Sequence, residues 1–543
     1  MENSDENGFC SVTGIYNSLF SSPPPHSSHP LSLPEFLLQH TPHRPSNPAF
    51  VDAFSDKTLT YADLTSLTAA TASALLAAGV RRGDVVLLIS PNSIYFPALS
   101  LGIMAAGAVF STANHLLTRR EIHAQVEDSR PVLILTTGEL RAKFDGLNIP
   151  RPPVLIDQFL STLVTPAADD DIALIDCRKI ELDDAAVLMY SSGTTGRSKG
   201  VICTHRNLVY MAGVLRHVWG STREDIYLCV VPLFHMFGFS VFVCGAVAAG
   251  AAVVVMQRYS LEGVLEAVER RGVTRIPAVP PMVVQLVRMV HVAGDYELKS
   301  LREVICSGAP LAKEHVDRFA ACYPDITLSQ CYGLTESSGP LTLCDGSEGR
   351  FNLSIGRLIP SIEAKIVDIR SGKSLPPNQN GELCVRGLPV MLGYLNNPEA
   401  TSLAIDEEGW LHTGDLCYID SRGLVYVVDR IKELIKYKAY QVAPAELEDI
   451  LSTHPGVADV AVISYPDEEA GEIPMACVVR KAGFEIQKDE LIAFVDDMVA
   501  PYKRIRRVMF VDYIPRSPSG KIIRRLLKDI DFLNQLTEIL ARL

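Results

Sequence analysis

Ser191–Gly200 reads SSGTTGRSKG, with three glycines, five hydroxyl side chains and one lysine in ten residues. It follows the apolar run AAVLMY (Ala185–Tyr190) and precedes the helix-like segment HRNLVYMAGVLRHVW (His205–Trp219). The order predicts strand, loop, helix, with a loop able to wrap an anion. Gly193 and Gly196 let backbone N–H groups converge on one oxygen cluster without interference from a Cβ. Ser191, Ser192, Thr194 and Thr195 can donate hydroxyls to a phosphate, and Lys199 adds a mobile positive charge. The spacing is not that of a Walker A loop, because Lys199 is followed by Gly200 rather than Ser or Thr. Taken alone, the stretch also fits a plain Ser/Gly linker.

The surroundings set this loop in an α/β frame. From Asp84 onward, strand-like runs alternate with helical ones: DVVLLIS, NSIYFPALSLGIMAAG and AVFSTAN, then IYLCVVP, AAVVVM, LEGVLEAVERRG, VTRIPAVP and LREVICSGA. That alternation predicts largely parallel sheets. From about Ser354 short strands separated by turns (EAKIVD, GELCVRG, LVYVVD) predict a small β subdomain. The charged segment after Asp429-Arg430 marks a boundary. The expected division is a loose arm over 1–30, a large α/β domain over 31–429 and a small α+β domain over 430–543.

Composition narrows the function classes. The chain has 543 residues, 48% hydrophobic, and a net charge of −13, which excludes the electrostatic footprint of a nucleic-acid binder. Its 12 cysteines form no C-x-x-C pair, so the expectation is reduced thiols rather than a zinc ribbon or redox motif. No Lys or Arg precedes Arg44, which fits neither a secretory signal nor a transit peptide. The charge-free run between Asp225 and Arg258 has the length of a membrane span, but Pro232, His235, Gly238, Gly245 and Gly250 interrupt it. It reads as a helix followed by a buried strand. Ala541-Arg542-Leu543 is a small-basic-leucine tripeptide of the S-K-L type, which predicts a peroxisomal import receptor as partner and a peroxisomal address, with the cytoplasm as the alternative.

Seven motifs occur in one order: SSGTTGRSKGV, VPLFHMFG, QCYGLTES, GELCVRG, GWLHTGDLCYID, DRIKELIKYKAYQVAPAELE and PRSPSGKIIRR. In this the chain resembles the adenylate-forming acyl-CoA synthetases, the superfamily of firefly luciferase, and within it the plant 4-coumarate:CoA ligases and their like. The resemblance covers roughly Leu31 to Arg525. It implies a large domain followed by a small mobile one, and two half-reactions. A carboxylic acid attacks the α-phosphate of Mg-ATP to give acyl-AMP and pyrophosphate; the thiol of coenzyme A then displaces AMP.

Carried onto matching positions, the resemblance assigns the Ser191–Gly200 loop to the β- and γ-phosphates. Gln330, Cys331 and Tyr332 go to the adenylate, with Tyr332 on adenine, Thr335 goes to the α-phosphate and Glu336 to Mg2+, a hard cation suited to oxygen ligands. Asp415 and Arg430 go to the ribose, and Lys436 and Gln441 to the adenylate. Arg258, Lys438 and Ala439 go to coenzyme A. His235, Phe237, Ser240, Gly308, Ala309, Gly333 and Pro340 go to the acid. Lys521 would bridge the attacking carboxylate and the α-phosphate, and Lys432 is the pivot of the small domain.

Three positions depart from the family pattern. Cys331 stands where the hydroxycinnamate enzymes usually have glycine, which predicts a narrower site, and Ala439 replaces a glycine near the thiol path. Phe237 and Ser240 replace a common Tyr and Asn. With fewer polar partners, a phenolic 4-hydroxyl would be buried unpaired at a cost of roughly 1–3 kcal/mol, so a less polar aryl-propenoic, benzoic or fatty-type acid is expected. The alternatives are a non-catalytic adenylate-binding relative, an adenylating enzyme with another acceptor, and a luciferase-like activity.

Overall fold

A computed structural model describes residues 6–22, 31–39, 45–147, 149–163, 180–191, 198–344, 353–437, 440–467, 470–496, 498–499, 501–517 and 520–529. Ser192, Gly193, Thr194, Thr195, Gly196, Lys438, Ala439 and Ala541-Arg542-Leu543 lie outside the described residues, as does the side chain of Gln441.

The expected alternation becomes two seven-stranded sheets. In one, Val85–Ile89, Val109–Thr112, Leu133–Thr136 and Ala185–Ser191 run parallel. In the other, Thr327–Gln330, Glu303–Cys306, Arg275–Ala278, Ile226–Cys229, Ala252–Val255 and Pro48–Asp52 run parallel. Their apolar strands are buried on both faces, as parallel strands covered by helices must be. Every residue of the helix Phe96–Ala105 is buried, and it packs on Tyr61–Ala77 so closely that a Cβ at Gly102 would meet the Thr71 Cβ at 2.4 Å. The charge-free run resolves into the strand Ile226–Cys229, a π-helical segment Phe239–Ala246 and the strand Ala252–Val255. Among the described residues no helix is long and apolar enough to cross a membrane.

Three expectations are corrected. Ala185–Ser191 is followed by a second strand, Lys199–Thr204, antiparallel to the first, before the helix His205–Val218 begins. The loop therefore belongs to a hairpin, and Lys199 is the first residue of its return strand. Within the 1–30 arm, Phe9–Cys10 and Ile15–Asn17 are not loose: they extend an antiparallel sheet whose other strands are Ile362–Val367, Gly381–Gly387, Leu411–Ile419 and Val425–Arg430. Tyr16 is buried there and donates its hydroxyl to the Leu375 carbonyl. Arg430 closes the last strand of this sheet, paired with Asp415, so it belongs to the large domain rather than the small one. The turn Ile431–Glu433 then leads into a five-stranded sheet built on Val457–Asp467 and Gly471–Arg480, covered by the helices Pro444–Ser452 and Lys488–Asp496.

Candidate active site

A cavity of about 1000 Å³ opens where the small domain faces the large one. The carboxyl ends of two parallel strands supply Ser307, Gly308 and Ala309 after Glu303–Cys306, and Gln330, Cys331, Tyr332 and Gly333 at the end of Thr327–Gln330. That is the edge of an open α/β sheet where ligands bind. Asp415 and Arg430 come from the antiparallel sheet; Glu433, Glu448, Lys521 and Arg524 come from the turn Ile431–Glu433 and the small domain.

The centre is a buried carboxylate. Asp415 is 3% exposed, accepts the Tyr332 hydroxyl at 2.6 Å on one oxygen, and meets Arg430 Nε at 3.2 Å on the other. Burial raises its pKa, against the opposing pull of Arg430, the Tyr332 hydrogen bond and Lys521. The arrangement leaves a dense acceptor within reach of a diol.

Lys521 enters from the small domain. Its amide donates to Ser517 Oγ at 3.1 Å and its carbonyl accepts from the Ser517 amide at 2.7 Å, which closes a tight loop. Gly520, at φ +82°, sits so near the large domain that a Cβ would meet Pro281 Cδ at 2.6 Å. Burial, reinforced by the neighbouring Arg430, lowers the Lys521 pKa to about 8, with Glu433 and Asp415 pulling the other way. Behind it, Arg524 is clamped by Glu433 and by Glu448 Oε1 at 2.7 Å and donates Nε to the Val462 carbonyl at 3.0 Å. Burial pushes Glu448 up to about 7 in spite of that guanidinium.

A second cluster gathers the described ends of the opening loop. Glu336 Oε1 accepts the hydroxyls of Ser191 at 3.0 Å and of Tyr394 at 2.9 Å, and Lys199 Nζ lies 4.7 Å from the centre of the Tyr394 ring. Thr335 and Glu336 share one 3-10 turn. A carboxylate among hydroxyls is a hard oxygen donor set, which fits Mg2+.

The acid-pocket residues are only partly brought to the cavity. Gly308, Ala309 and Gly333 line it; His235, Phe237, Ser240 and Pro340 do not. Gly333 and Pro340 are cross-strand partners, and a Cβ on Gly333 would meet the Gly339 carbonyl oxygen at 2.2 Å. Ser240 is fully buried and donates its hydroxyl to the Phe237 carbonyl at 3.2 Å, so it turns inward to its own helix. His235 caps the same segment, its Nδ1 accepting the Phe237 amide at 3.3 Å. Its ring is exposed, yet desolvation lowers its pKa. Both hold for a ring opening on a recess, where protein atoms crowd it without covering it. Cys331 lines the cavity as a neutral thiol, its pKa pushed up to about 12 by burial.

Arg258, Lys432 and Lys436 are exposed and off the cavity lining, and Lys436 and Gln441 are backbone register partners in the hairpin Ile435–Tyr437 and Tyr440–Val442. Sequence reasoning missed Tyr394 and the Arg524–Glu433–Glu448 clamp. Tyr394 sits in a two-residue strand with no periodic signal, and the basic pair beside Lys521 in PRSPSGKIIRR carries no local sign of the acids that Arg524 meets.

Residues 38–395 match the family described as AMP-binding enzyme, and residues 446–521 match its C-terminal domain. The chain is 49% identical to a 4-coumarate–CoA ligase-like protein of Oryza sativa subsp. japonica, over 96% of this chain and 97% of that one. It is 43% identical to the peroxisomal OPC-8:0-CoA ligase 1 of Arabidopsis thaliana, over 95% and 96%. Among solved structures it resembles ATP-bound MatB of Rhodopseudomonas palustris (TM-score 0.84, 26% identity, 92% of this chain and 99% of that one). It also resembles the o-succinylbenzoate CoA synthetase of Bacillus subtilis with its acyl-adenylate intermediate (TM-score 0.80, 29% identity, 91% and 98%).

Proposed function

Since the chain belongs to the AMP-binding enzyme family and is an ATP-dependent acid–thiol ligase working through an acyl adenylate, we propose that Lys521, Asp415, Arg430 and Tyr332 form its adenylation centre, and that its acid is weakly polar. The observation that carries the first part is the meeting of Lys521 from the small domain with the buried Asp415–Arg430 pair.

Asp415 accepts the ribose hydroxyls, held in place by Tyr332 and Arg430. Lys521 brings its ammonium to the oxygens that gain charge as the carboxylate attacks the α-phosphate, a role worth roughly 3–4 kcal/mol for one well-placed donor. Lys199 and the hydroxyls of the Ser191–Gly200 loop receive the departing pyrophosphate. Glu336 would hold Mg2+, which would supply charge neutralisation to the phosphates. For the thiol step the small domain swings about Lys432, withdrawing Lys521 and presenting the hairpin of Lys436 and Gln441 from its outer position. Lys438, Ala439 and Arg258 then meet coenzyme A.

The place of Ser240 supports the weakly polar acid, since its hydroxyl proton goes to the Phe237 carbonyl and the residue is buried away from the cavity lining. Cinnamate, benzoate or a fatty-type acid should match or exceed 4-coumarate in kcat/KM, measured as AMP release dependent on ATP and coenzyme A. OPC-8:0, the acid in the name of the Arabidopsis relative, belongs in the same panel. A tenfold preference for 4-coumarate, about 1.4 kcal/mol, overturns this reading.

The reading extends to the peroxisome on two supports: the Ala541-Arg542-Leu543 tripeptide and the peroxisomal relative. Deleting the tripeptide should leave a tagged protein in the cytosol. Continued import of the truncated protein, or a cytosolic intact one, contradicts it.

A further inference from the structure

A cluster outside the reaction centre combines a thiol, an imidazole and a carboxylate. Cys384 and His412 are cross-strand partners in the antiparallel sheet, and Glu382 lies two residues before Cys384 across a shift in register. Residues two apart on a strand share a face, so Glu382 and Cys384 stand on one side of the sheet with His412. His412 Nδ1 lies 2.9 Å from Glu382 Oε2 and 3.4 Å from Cys384 Sγ, and one ligand atom from each of the three residues lies within 4.8 Å of the others. On the other side of the ring, His412 Nε2 lies 3.6 Å from Asp406 Oδ2.

We propose that Glu382, Cys384 and His412 form a binding site for one Zn2+ ion, with water in the fourth position. The donor set selects the metal: thiolate and imidazole suit Zn2+, and Mg2+ or Ca2+ would demand oxygen throughout. Around a tetrahedral Zn2+ with bonds of about 2.0–2.3 Å, neighbouring ligand atoms stand roughly 3.3–3.6 Å apart. The two measured separations from Nδ1 come within a few tenths of an ångström of that. Asp406, 3.6 Å from Nε2, is the outer carboxylate towards which a metal-bound His412 would turn its Nε2–H, with Nδ1 facing the ion.

Access and anchoring also fit. Cys384 is 1% exposed, whereas the Glu382 and His412 side chains are 20% and 35% exposed, so the ion reaches the thiol from one open side and keeps a water there. Glu382 Oε1 accepts the Gly414 amide at 3.0 Å, which leaves Oε2 for the metal. The site therefore fills without undoing the turn that precedes Asp415. On loading, the thiol proton and the proton shared by His412 Nδ1 and Glu382 leave to solvent.

The test uses the full chain, stripped of metal with a chelator and titrated with Co2+ as a spectroscopic probe. Tetrahedral Co2+ absorption with a thiolate-to-metal charge-transfer band should saturate at one equivalent and be displaced by one equivalent of Zn2+. Cys384→Ser should abolish the charge-transfer band and weaken Zn2+ binding at least 100-fold. His412→Ala, which keeps the thiol, should weaken it similarly, and Asp406→Asn by about 10–100-fold with the band retained. Cys322→Ser should change nothing. Circular dichroism shows whether each variant is folded, and the His412→Ala arm decides if Cys384→Ser is not. A band that survives Cys384→Ser, or wild-type protein that takes up no stoichiometric Zn2+, overturns the proposal.

Discussion

Lys521→Ala should lose acyl-adenylate formation by roughly 10²–10³, the cost of one transition-state donor, while converting supplied acyl-AMP and coenzyme A to thioester at a near-normal rate. The split is expected because Lys521 reaches the cavity only through a contact between domains, with Gly520 seated against Pro281. In the proposed swing of the small domain, that contact and the ammonium would leave together. The same lysine sets a pH limit. Its folded-state pKa, lowered to about 8, keeps it protonated below that pH, and the useful charge is lost as pH rises through it. Adenylation kcat/KM, which reports the free enzyme, should fall about tenfold per pH unit above the break. Lys521→Arg should move the break upward, because a guanidinium stays charged. Equal loss of both half-reactions in folded Lys521→Ala protein contradicts the assignment and leaves Lys521 as a structural charge.

Arg524→Ala should destabilise the small domain by about 3–5 kcal/mol, the cost of removing one partner from a buried ionic network. Arg524 joins three parts of the chain: Glu433 in the turn Ile431–Glu433, Glu448 in the helix Pro444–Ser452 and the Val462 carbonyl in the strand Val457–Asp467. Its removal leaves Glu448 buried without its counter-charge. Since burial already pushes that carboxyl up to about 7, it will take a proton when the guanidinium is gone, and the deficit should be smaller at pH 6 than at pH 8. Arg525, exposed beside it, is the internal control, and Arg525→Ala should stay within about 0.5 kcal/mol of wild type. Adenylation should suffer more than thioester formation in Arg524→Ala, because the clamp sits directly behind the Lys521 loop. Denaturant melts and the two half-reaction rates check both statements. Matching stabilities for the two arginine variants would remove Arg524 from this role.

The period of the apolar pattern and the order of the motifs were legible without coordinates. DVVLLIS, NSIYFPALSLGIMAAG and AVFSTAN are strand, helix and strand because β-branched runs and a continuous apolar helix each leave a local signature. The Asp415, Arg430 and Lys521 positions were legible for a different reason, as each lies in a motif long enough to recognise. Tertiary structure alone decided the rest. Phe9–Cys10 and Ile15–Asn17 are too short to carry a period, and they become strands only because Ile362–Val367, far along the chain, offers an edge. Lys199 and Gly200 read as the end of a polar loop until Lys199–Thr204 pairs with Ala185–Ser191, and that pairing makes a hairpin whose ends, Ser191 and Lys199, approach Glu336 and Tyr394. Tyr394 on Glu336, Arg524 between Glu433 and Glu448, and Asp406 behind His412 share the same cause. A local pattern encodes which face of an element is apolar, but a polar side chain's partner is chosen by the fold that carries it there, because a buried charge or donor is stable only where another part of the chain supplies its complement.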